Sequence, residues 1–211
     1  MKAILIEDRV NRQKNILGDK LDELKQITFL ENISGGKGFE ELKQKLINKE
    51  YTVLDENTLI MIHRSAFETD TRNGLIEHLK KSNKKVVFFS GGISGCQFNK
   101  IDLLDFLLMN VNQFYSENLF YFLKNNGDNL LELAFGNLWQ TSILIDTYEK
   151  LTIYYKSFEK KPFAKIDTEI MFNSWITQKF FIDYAQNDMI ERSELESILE
   201  KIKKELDTVL L

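Results

Sequence analysis

Short apolar runs alternate with amphipathic patterns along the first 125 positions of the chain. Continuous apolar runs bounded by polar residues are typical of strands that are buried on both faces. We predict five such strands, at residues 3–6, 27–30, 59–62, 86–89 and 111–115.

Between these runs, apolar residues recur three and four positions apart, which is the spacing of one face of a helix. Single helices between strands imply right-handed crossovers and therefore a parallel sheet. The prediction is an α/β fold with a flavodoxin-like, doubly wound, five-stranded parallel sheet in residues 1–125. The apolar positions that predict the five helices are Ile16, Leu17, Leu21 and Leu24; Phe39, Leu42, Leu46 and Ile47; Leu75, Ile76 and Leu79; Leu103, Leu104, Leu107 and Leu108; and Leu119, Phe120 and Leu123.

The alternation of strands and helices ends near residue 125, and residues 126–211 show helical patterns only. We predict that this second region is helical and serves packing, dimerisation or partner binding. Pro162 would end its first helical stretch, because proline stops a helix. A further helix is predicted around residues 166–184, and residues 193–196 have the pattern of a capping box at the start of the last helix.

Composition excludes several classes of protein. The 211 residues include one cysteine, which excludes an intramolecular disulfide and a zinc site built on several cysteines. A formal net charge of −4 argues against nucleic-acid binding, as does the small number of arginines. The first residues lack the shape of a signal peptide and no apolar run approaches the length of a membrane span, so we expect a cytoplasmic protein without a membrane partner.

Polar residues follow the predicted strands where each strand ends. Glu7 and Asp8 follow the first strand, His63 the third, Ser90 the fourth and Ser116 the fifth. Because the carboxyl ends of parallel strands meet at one edge of a sheet, we expect the residues that follow the first, third and fourth strands to converge there. Glu7 and Asp8 are candidate metal ligands, and a histidine at this edge is a candidate charge switch.

The order of these elements resembles the receiver domain of bacterial response regulators, over the whole of residues 1–125. The matching segments resemble the family's first strand with its acidic pair, the turn into its second helix, its third strand, the glycine-led start of the next helix, its fourth strand with a terminal hydroxyl residue, and its fifth strand. They are residues 4–8, 32–42, 59–62, 73–79, 86–90 and 113–115.

The chain departs from the receiver pattern at the positions that carry the family's chemistry. The position that matches the family's phosphoryl-accepting aspartate is His63. The family's lysine–proline step matches Ser116 and Glu117. The resemblance therefore implies a pseudo-receiver without aspartyl phosphotransfer, in which His63, Ser90 and Ser116 take the switch positions. No cofactor is favoured, and Mg²⁺ at Glu7 and Asp8 remains open, since a divalent ion usually takes a further carboxylate or a phosphoryl oxygen.

The resemblance implies a signalling or protein–protein interaction module. Active receivers dock through the face around their fourth and fifth elements, which corresponds here to residues 103–123. The expected partner is another protein or a second copy of the chain, bound through this face or through the C-terminal helices.

Two enzymatic or ligand-binding alternatives stay open. A caspase-like Cys–His hydrolase would use His63 to draw the proton from Cys96, the only cysteine. A Mg²⁺-dependent regulator would bind a phosphoryl group at the same edge of the sheet. Against both alternatives stand plainer interpretations: His63 as a structural histidine and Cys96 as an unreactive loop thiol.

Overall fold

The computed structural model describes residues 1–157, 163–165, 176, 179–181 and 189–209. The contacts of the described chain divide it into two compact units, Met1–Asn137 and Leu138–Leu211. The first unit thus extends beyond residue 125. The division into separate domains at 1–125 and 126–211 stays a prediction.

The first unit is built on a mixed sheet that has six strands in the described part of the chain. From edge to edge the order is β2-β1-β3-β4-β6-β5, and all neighbouring pairs are parallel except β5 with β6. The strands are β1 (Ala3–Glu7), β2 (Leu30–Ser34), β3 (Leu59–His63), β4 (Lys85–Ser90), β5 (Cys96–Ile101) and β6 (Leu104–Asn110).

Helices cover both faces of this sheet. One face packs on α3 (Gly36–Ile47) and α4 (Thr69–Leu79). The other face packs on five further helices. Burial on both faces explains why the central strands are almost wholly apolar. The five helices are α1 (Val10–Leu17), α2 (Leu21–Lys25), α5 (Val111–Phe114), α6 (Glu117–Lys124) and α7 (Leu130–Phe135).

The predicted α/β fold with a mostly parallel sheet is confirmed, but two predicted elements are wrong. The leucines of residues 103–108 lie in strand β6 and its preceding turn, not in a helix, and residues 111–114 form helix α5, not a strand. Leucines at this spacing fit a helix face, yet β6 is a strand that is largely buried between two neighbours. The predicted second strand at 27–30 is shifted as well, because the paired residues are the more polar Leu30–Ser34 at the edge of the sheet.

An antiparallel hairpin replaces the predicted fourth crossover helix. Strand β5 runs back against β6, and Ile101 pairs with Leu104 across a two-residue turn. Asp102 in this turn has a left-handed backbone, with φ of 53°. Aspartate tolerates this conformation better than most residues do. The predicted five-stranded, wholly parallel sheet is therefore a mixed sheet with one antiparallel edge strand.

The second unit contains α8 (Trp139–Ser157), the short antiparallel pair of β7 (Phe163–Lys165) and β8 (Met189–Glu191), and α9 (Arg192–Val209). Its helical character was predicted, and the two short strands were not. Most of the helix predicted around 166–184, and Pro162, lie outside the described residues. None of the helices in the described part of the chain is long and apolar enough to span a membrane.

Candidate functional site at the carboxyl edge of the sheet

Glu7 ends strand β1 as a fully buried carboxylate with several hydrogen-bond donors around it. Its side chain has no exposed surface, and Oε1 accepts a charge-assisted hydrogen bond of 2.5 Å from the Arg12 guanidinium. The backbone N–H of Arg9 donates to the same oxygen at 3.2 Å. The hydroxyl of Tyr115 donates to Oε2 at 3.0 Å. A buried carboxylate requires such partners, because an unpaired buried charge is costly.

Asp8 shares the Arg12 guanidinium with Glu7. Helix α1 places Arg12 one turn after Asp8, and the same Nη1 that contacts Glu7 donates to Asp8 Oδ1 at 2.9 Å. The second carboxylate oxygen, Oδ2, accepts a hydrogen bond of 3.0 Å from the Ser65 hydroxyl. One arginine nitrogen therefore joins the two carboxylates.

His63 ends strand β3 and is almost completely buried, with 4% of its surface exposed. Its Nδ1 accepts a hydrogen bond of 3.3 Å from the backbone N–H of Ser65 and lies 2.7 Å from the Ser65 hydroxyl oxygen. The same nitrogen lies 3.3 Å from Asp8 Oδ1. The ring meets Phe89 edge-on with 5.3 Å between centroids, which fixes its orientation. The sheet edge thus brings Glu7, Asp8 and His63 together, as the sequence predicted for the ends of the first and third strands.

Burial and charge move the pKa values of these three groups in different directions. Burial, aided by a hydrogen bond with Asp8, raises the pKa of Glu7 to about 7 against the opposing charge of Arg12. For Asp8, burial acts upwards, but hydrogen bonds with Glu7 and Ser65 and the Arg12 charge outweigh it and lower the pKa. Burial and the Arg12 charge lower the pKa of His63 to about 4. At neutral pH, Asp8 is therefore a carboxylate and His63 a neutral imidazole.

The cluster does not fit a divalent ion as it is arranged. Ligand atoms of Glu7, Asp8 and His63 lie within 4.8 Å of one another, as metal ligands would. However, Arg12 Nη1 already bonds one oxygen of each carboxylate, at the place where a cation would bind both. Mg²⁺ also prefers oxygen ligands to an imidazole. The guanidinium supplies the positive charge that the two carboxylates need.

The predicted switch residues Ser90 and Ser116 are each bonded to a backbone N–H two positions further along the chain. Ser90 ends β4, where its Oγ accepts a long hydrogen bond of 3.4 Å from the N–H of Gly92. Ser116 is the N-cap of α6, and its Oγ accepts from the N–H of Asn118 at 3.3 Å. The prediction that Ser116 follows the last parallel strand is wrong, because that strand is β6 and ends at Asn110. Asn110 is neither the lysine nor the proline of the receiver pattern, and its amide donates to the Ile93 carbonyl at 2.8 Å.

Cys96 is not within reach of His63. It lies on the edge strand β5, and strands β4 and β6 separate it from β3. At the usual spacing of neighbouring strands this separation is roughly 14 Å. Burial raises the pKa of the Cys96 thiol to about 11, against a hydrogen bond with Gln113. The geometry therefore provides no Cys–His dyad.

The predicted docking face at 103–123 lies mostly in the interior of the first unit. Leu104, Phe114 and Leu119 are fully buried. The large hydrophobic side chains that remain exposed within this range are Leu103, at 53%, and Tyr121, at 38%. The other exposed side chains of this range, Asn112 and Glu117, are polar.

Three residues of the site were missed as site residues in the sequence. Arg12 follows Asp8 by four positions, and this spacing of opposite charges at the start of a helix is a usable signal. Ser65 lies two residues after His63, the last residue of β3, so its place at a strand end is a signal of the same kind. Tyr115 carries no such signal, because its bond to Glu7 joins residues 108 positions apart.

The chain matches no protein-family model, no curated protein and no solved structure. The α/β fold with a mostly parallel sheet therefore stands on the strand order and register described above.

Proposed function

We propose that this protein is a receiver-like signalling module that acts through protein–protein interaction and lacks aspartyl phosphotransfer. The observation that carries the proposal is the Arg12 guanidinium, which bonds both Glu7 and Asp8 at the edge where a receiver would hold its divalent ion. This ion pair engages the acidic residues that match the receiver's acidic pair.

The order of the parallel strands supports the receiver-like part of this proposal. Without the antiparallel strand β5, the order is β2-β1-β3-β4-β6, which resembles the 2-1-3-4-5 order of flavodoxin-like domains. The β5–β6 hairpin is a departure, because it stands where a receiver has a helix. Because this hairpin changes the face that receivers use for docking, we expect its partner to differ from the partners of receivers.

The chemistry of the strand ends supports the absence of aspartyl phosphotransfer. A phosphoryl-accepting aspartate must be an accessible carboxylate, and the matching position here is the imidazole of His63, which is 4% exposed. The neighbouring carboxylates of Glu7 and Asp8 are engaged by Arg12, Tyr115 and Ser65.

The absence of aspartyl phosphotransfer is tested with acetyl phosphate and Mg²⁺. Intact-mass measurement before and after hydroxylamine treatment distinguishes an acyl phosphate, which hydroxylamine removes, from other adducts. We expect no hydroxylamine-sensitive adduct on the full chain, while an active receiver in the same mixture gains one. A hydroxylamine-sensitive phosphoryl group on Glu7 or Asp8 would refute this part of the proposal.

The interaction part is tested on the two exposed large hydrophobic side chains of the 103–123 face. The tagged full chain is purified from its native cells as the wild type, as the double variant Leu103→Asp and Tyr121→Ser, and as the control Val53→Asp. Val53 is 36% exposed and lies outside this face. We expect one protein, or a second copy of the chain, to be retained by the wild type and the control and lost by the double variant. Equal retention by all three would exclude docking through this face.

A further inference from the structure

Ser65 is an exposed hydroxyl held between two proton acceptors. It lies in the short turn after β3, where its side chain donates to Asp8 Oδ2 at 3.0 Å. Its oxygen is also 2.7 Å from Nδ1 of His63. A hydroxyl becomes a nucleophile when a group within hydrogen-bond distance can take its proton. Here the hydroxyl has two such groups.

Both acceptors lie within hydrogen-bond distance of the same hydroxyl oxygen, so either one is placed to take its proton. The two acceptors also lie close to each other, since Nδ1 of His63 is 3.3 Å from Asp8 Oδ1. They are thus alternative proton acceptors, unlike the serial arrangement of a Ser-His-Asp triad.

The surroundings of Ser65 indicate what kind of electrophile it would meet. Arg9 places its Nε 3.9 Å from Asp8 Oδ2, the oxygen that also accepts the Ser65 hydroxyl, and its side chain is 73% exposed. Arg64 directly precedes Ser65 and is exposed to solvent. Guanidinium groups recognise phosphoryl oxygens and stabilise their charge during transfer. Arg12 does not share this role, because its guanidinium is already paired with Glu7 and Asp8.

We propose that Ser65 is a nucleophile that accepts a phosphoryl group from a donor with a good leaving group, such as an acyl phosphate. The Ser65 oxygen attacks phosphorus and forms the new O–P bond. The bond from phosphorus to the acyl oxygen breaks, and its electron pair leaves on the carboxylate product. The hydroxyl proton passes to Asp8 Oδ2 or His63 Nδ1, while Arg9 and Arg64 attract the charged donor.

This assignment goes beyond the proposed function and does not depend on it. The product would be a phosphoserine, which resists hydroxylamine, whereas the chemistry excluded above would give a hydroxylamine-sensitive acyl phosphate. The phosphoserine dianion would pair with the neighbouring guanidinium groups and repel Asp8.

The test uses two phosphorus electrophiles on the full-length protein. Diisopropyl fluorophosphate is neutral and reports nucleophilicity alone, with fluoride as its leaving group. Acetyl phosphate is charged and also reports the role of the arginines. Adducts are located by peptide mass mapping, and thermal melting confirms that each variant is folded.

Four variants separate the roles of the nucleophile, the proton acceptor and the two arginines from the behaviour of a control serine. Ser65→Ala abolishes both adducts, and Asp8→Asn slows both by about tenfold, since loss of a positioned base costs that much or more. The double variant Arg9→Gln and Arg64→Gln slows the reaction with acetyl phosphate only. Ser94→Ala is the matched control, because Ser94 is an exposed serine after β4 for which the described residues provide no carboxylate or imidazole partner, and it changes neither reaction.

Three results would overturn the assignment. A wild-type chain that gains no adduct from either reagent has no nucleophilic serine. An adduct on Ser94 or elsewhere, with Ser65 unmodified, places reactivity outside the cluster. Labelling of Ser65 by diisopropyl fluorophosphate without any acetyl phosphate adduct would show that Ser65 is nucleophilic but does not accept a phosphoryl group from an acyl phosphate.

Discussion

Tyr115 donates its hydroxyl to the buried carboxylate of Glu7 at 3.0 Å and so joins the end of β1 to the residue that follows α5. Both side chains are buried, with Tyr115 4% exposed. The Tyr115 ring also meets Phe89, which in turn contacts His63. The carboxyl edge of the sheet is therefore one connected network of aromatic and polar contacts.

Removal of the Tyr115 hydroxyl is expected to weaken the fold. Tyr115→Phe leaves Oε2 of Glu7 without its donor in a buried place, which costs about 1–3 kcal/mol of the free energy of unfolding. Denaturant unfolding measures this loss. Tyr121→Phe is the control, because Tyr121 is 38% exposed and its hydroxyl has water available. Equal stability of both variants would show that the bond to Glu7 does not stabilise the chain.

Removal of Arg12 is expected to cost more than removal of Arg9. Above pH 7, where Glu7 is ionised, Arg12→Gln leaves two close carboxylates without their shared cation, and breaking a buried ion pair typically costs about 3–5 kcal/mol. Arg9→Gln removes an exposed charge 3.9 Å from Asp8, and exposed pairs contribute about 0–1 kcal/mol. Denaturant unfolding of the two variants makes the comparison, and a loss for Arg9→Gln as large as that for Arg12→Gln would contradict it.

Glu7 and His63 are expected to give stability opposite dependences on pH. The raised pKa of Glu7, about 7 against an ordinary 4.5, means that the folded state holds the extra proton, so this contribution is lost as pH rises from about 4.5 to 7. The lowered pKa of His63, about 4 against 6.5, means that the unfolded state binds the extra proton, so this contribution is lost as pH falls from about 6.5 to 4.

The variant Glu7→Gln separates these two effects. It removes the Glu7 titration, so the free energy of unfolding should rise more steeply between pH 4.5 and 6.5 than in the wild type. Urea unfolding at a series of pH values measures both slopes. An unchanged slope would show that Glu7 does not titrate in this range.

Cys96 is expected to react slowly with thiol reagents in the folded protein. Its thiol is partly buried and its pKa is raised to about 11, so little thiolate exists at neutral pH. Labelling with iodoacetamide at pH 7.5 should be far slower than in the urea-unfolded chain. His63→Ala should leave the folded rate unchanged, whereas a drop in that rate would restore the Cys–His hypothesis.

Strands that are uniformly buried can be predicted from their apolar runs, whereas a strand whose apolar spacing also fits a helix cannot. Strands β1, β3 and β4 lie within the sheet and are covered on both faces, so their apolar runs predict them directly. Strand β6 has leucines at a spacing that also fits a helix. Its hairpin with β5 turns at Asp102 and Leu103, which lack the Asn-Gly signal of a tight turn.

The candidate site was predictable in its location and not in its bonds. Parallel strand ends place Glu7, Asp8 and His63 at one edge whatever their partners are. The bond of Asp8 to Ser65 joins residues 57 positions apart, and no periodic pattern in the chain predicts it. The buried Lys84 is a second example, outside the candidate site. Its ammonium donates to the carbonyls of Asp55 and Asn57 at 2.5 and 2.7 Å, and no periodic pattern in the chain predicts these bonds.

Titration with Mg²⁺ tests most directly whether Arg12 takes the place of a divalent ion. Amide NMR signals of Asp8, Arg12 and Ser65 are followed in the wild-type chain up to millimolar Mg²⁺, with an active receiver as the positive control. Because the Arg12 guanidinium bonds both carboxylates, we predict no saturable shift of these signals. A saturable shift centred on Asp8 would show that Mg²⁺ displaces Arg12, and would contradict this role of the guanidinium.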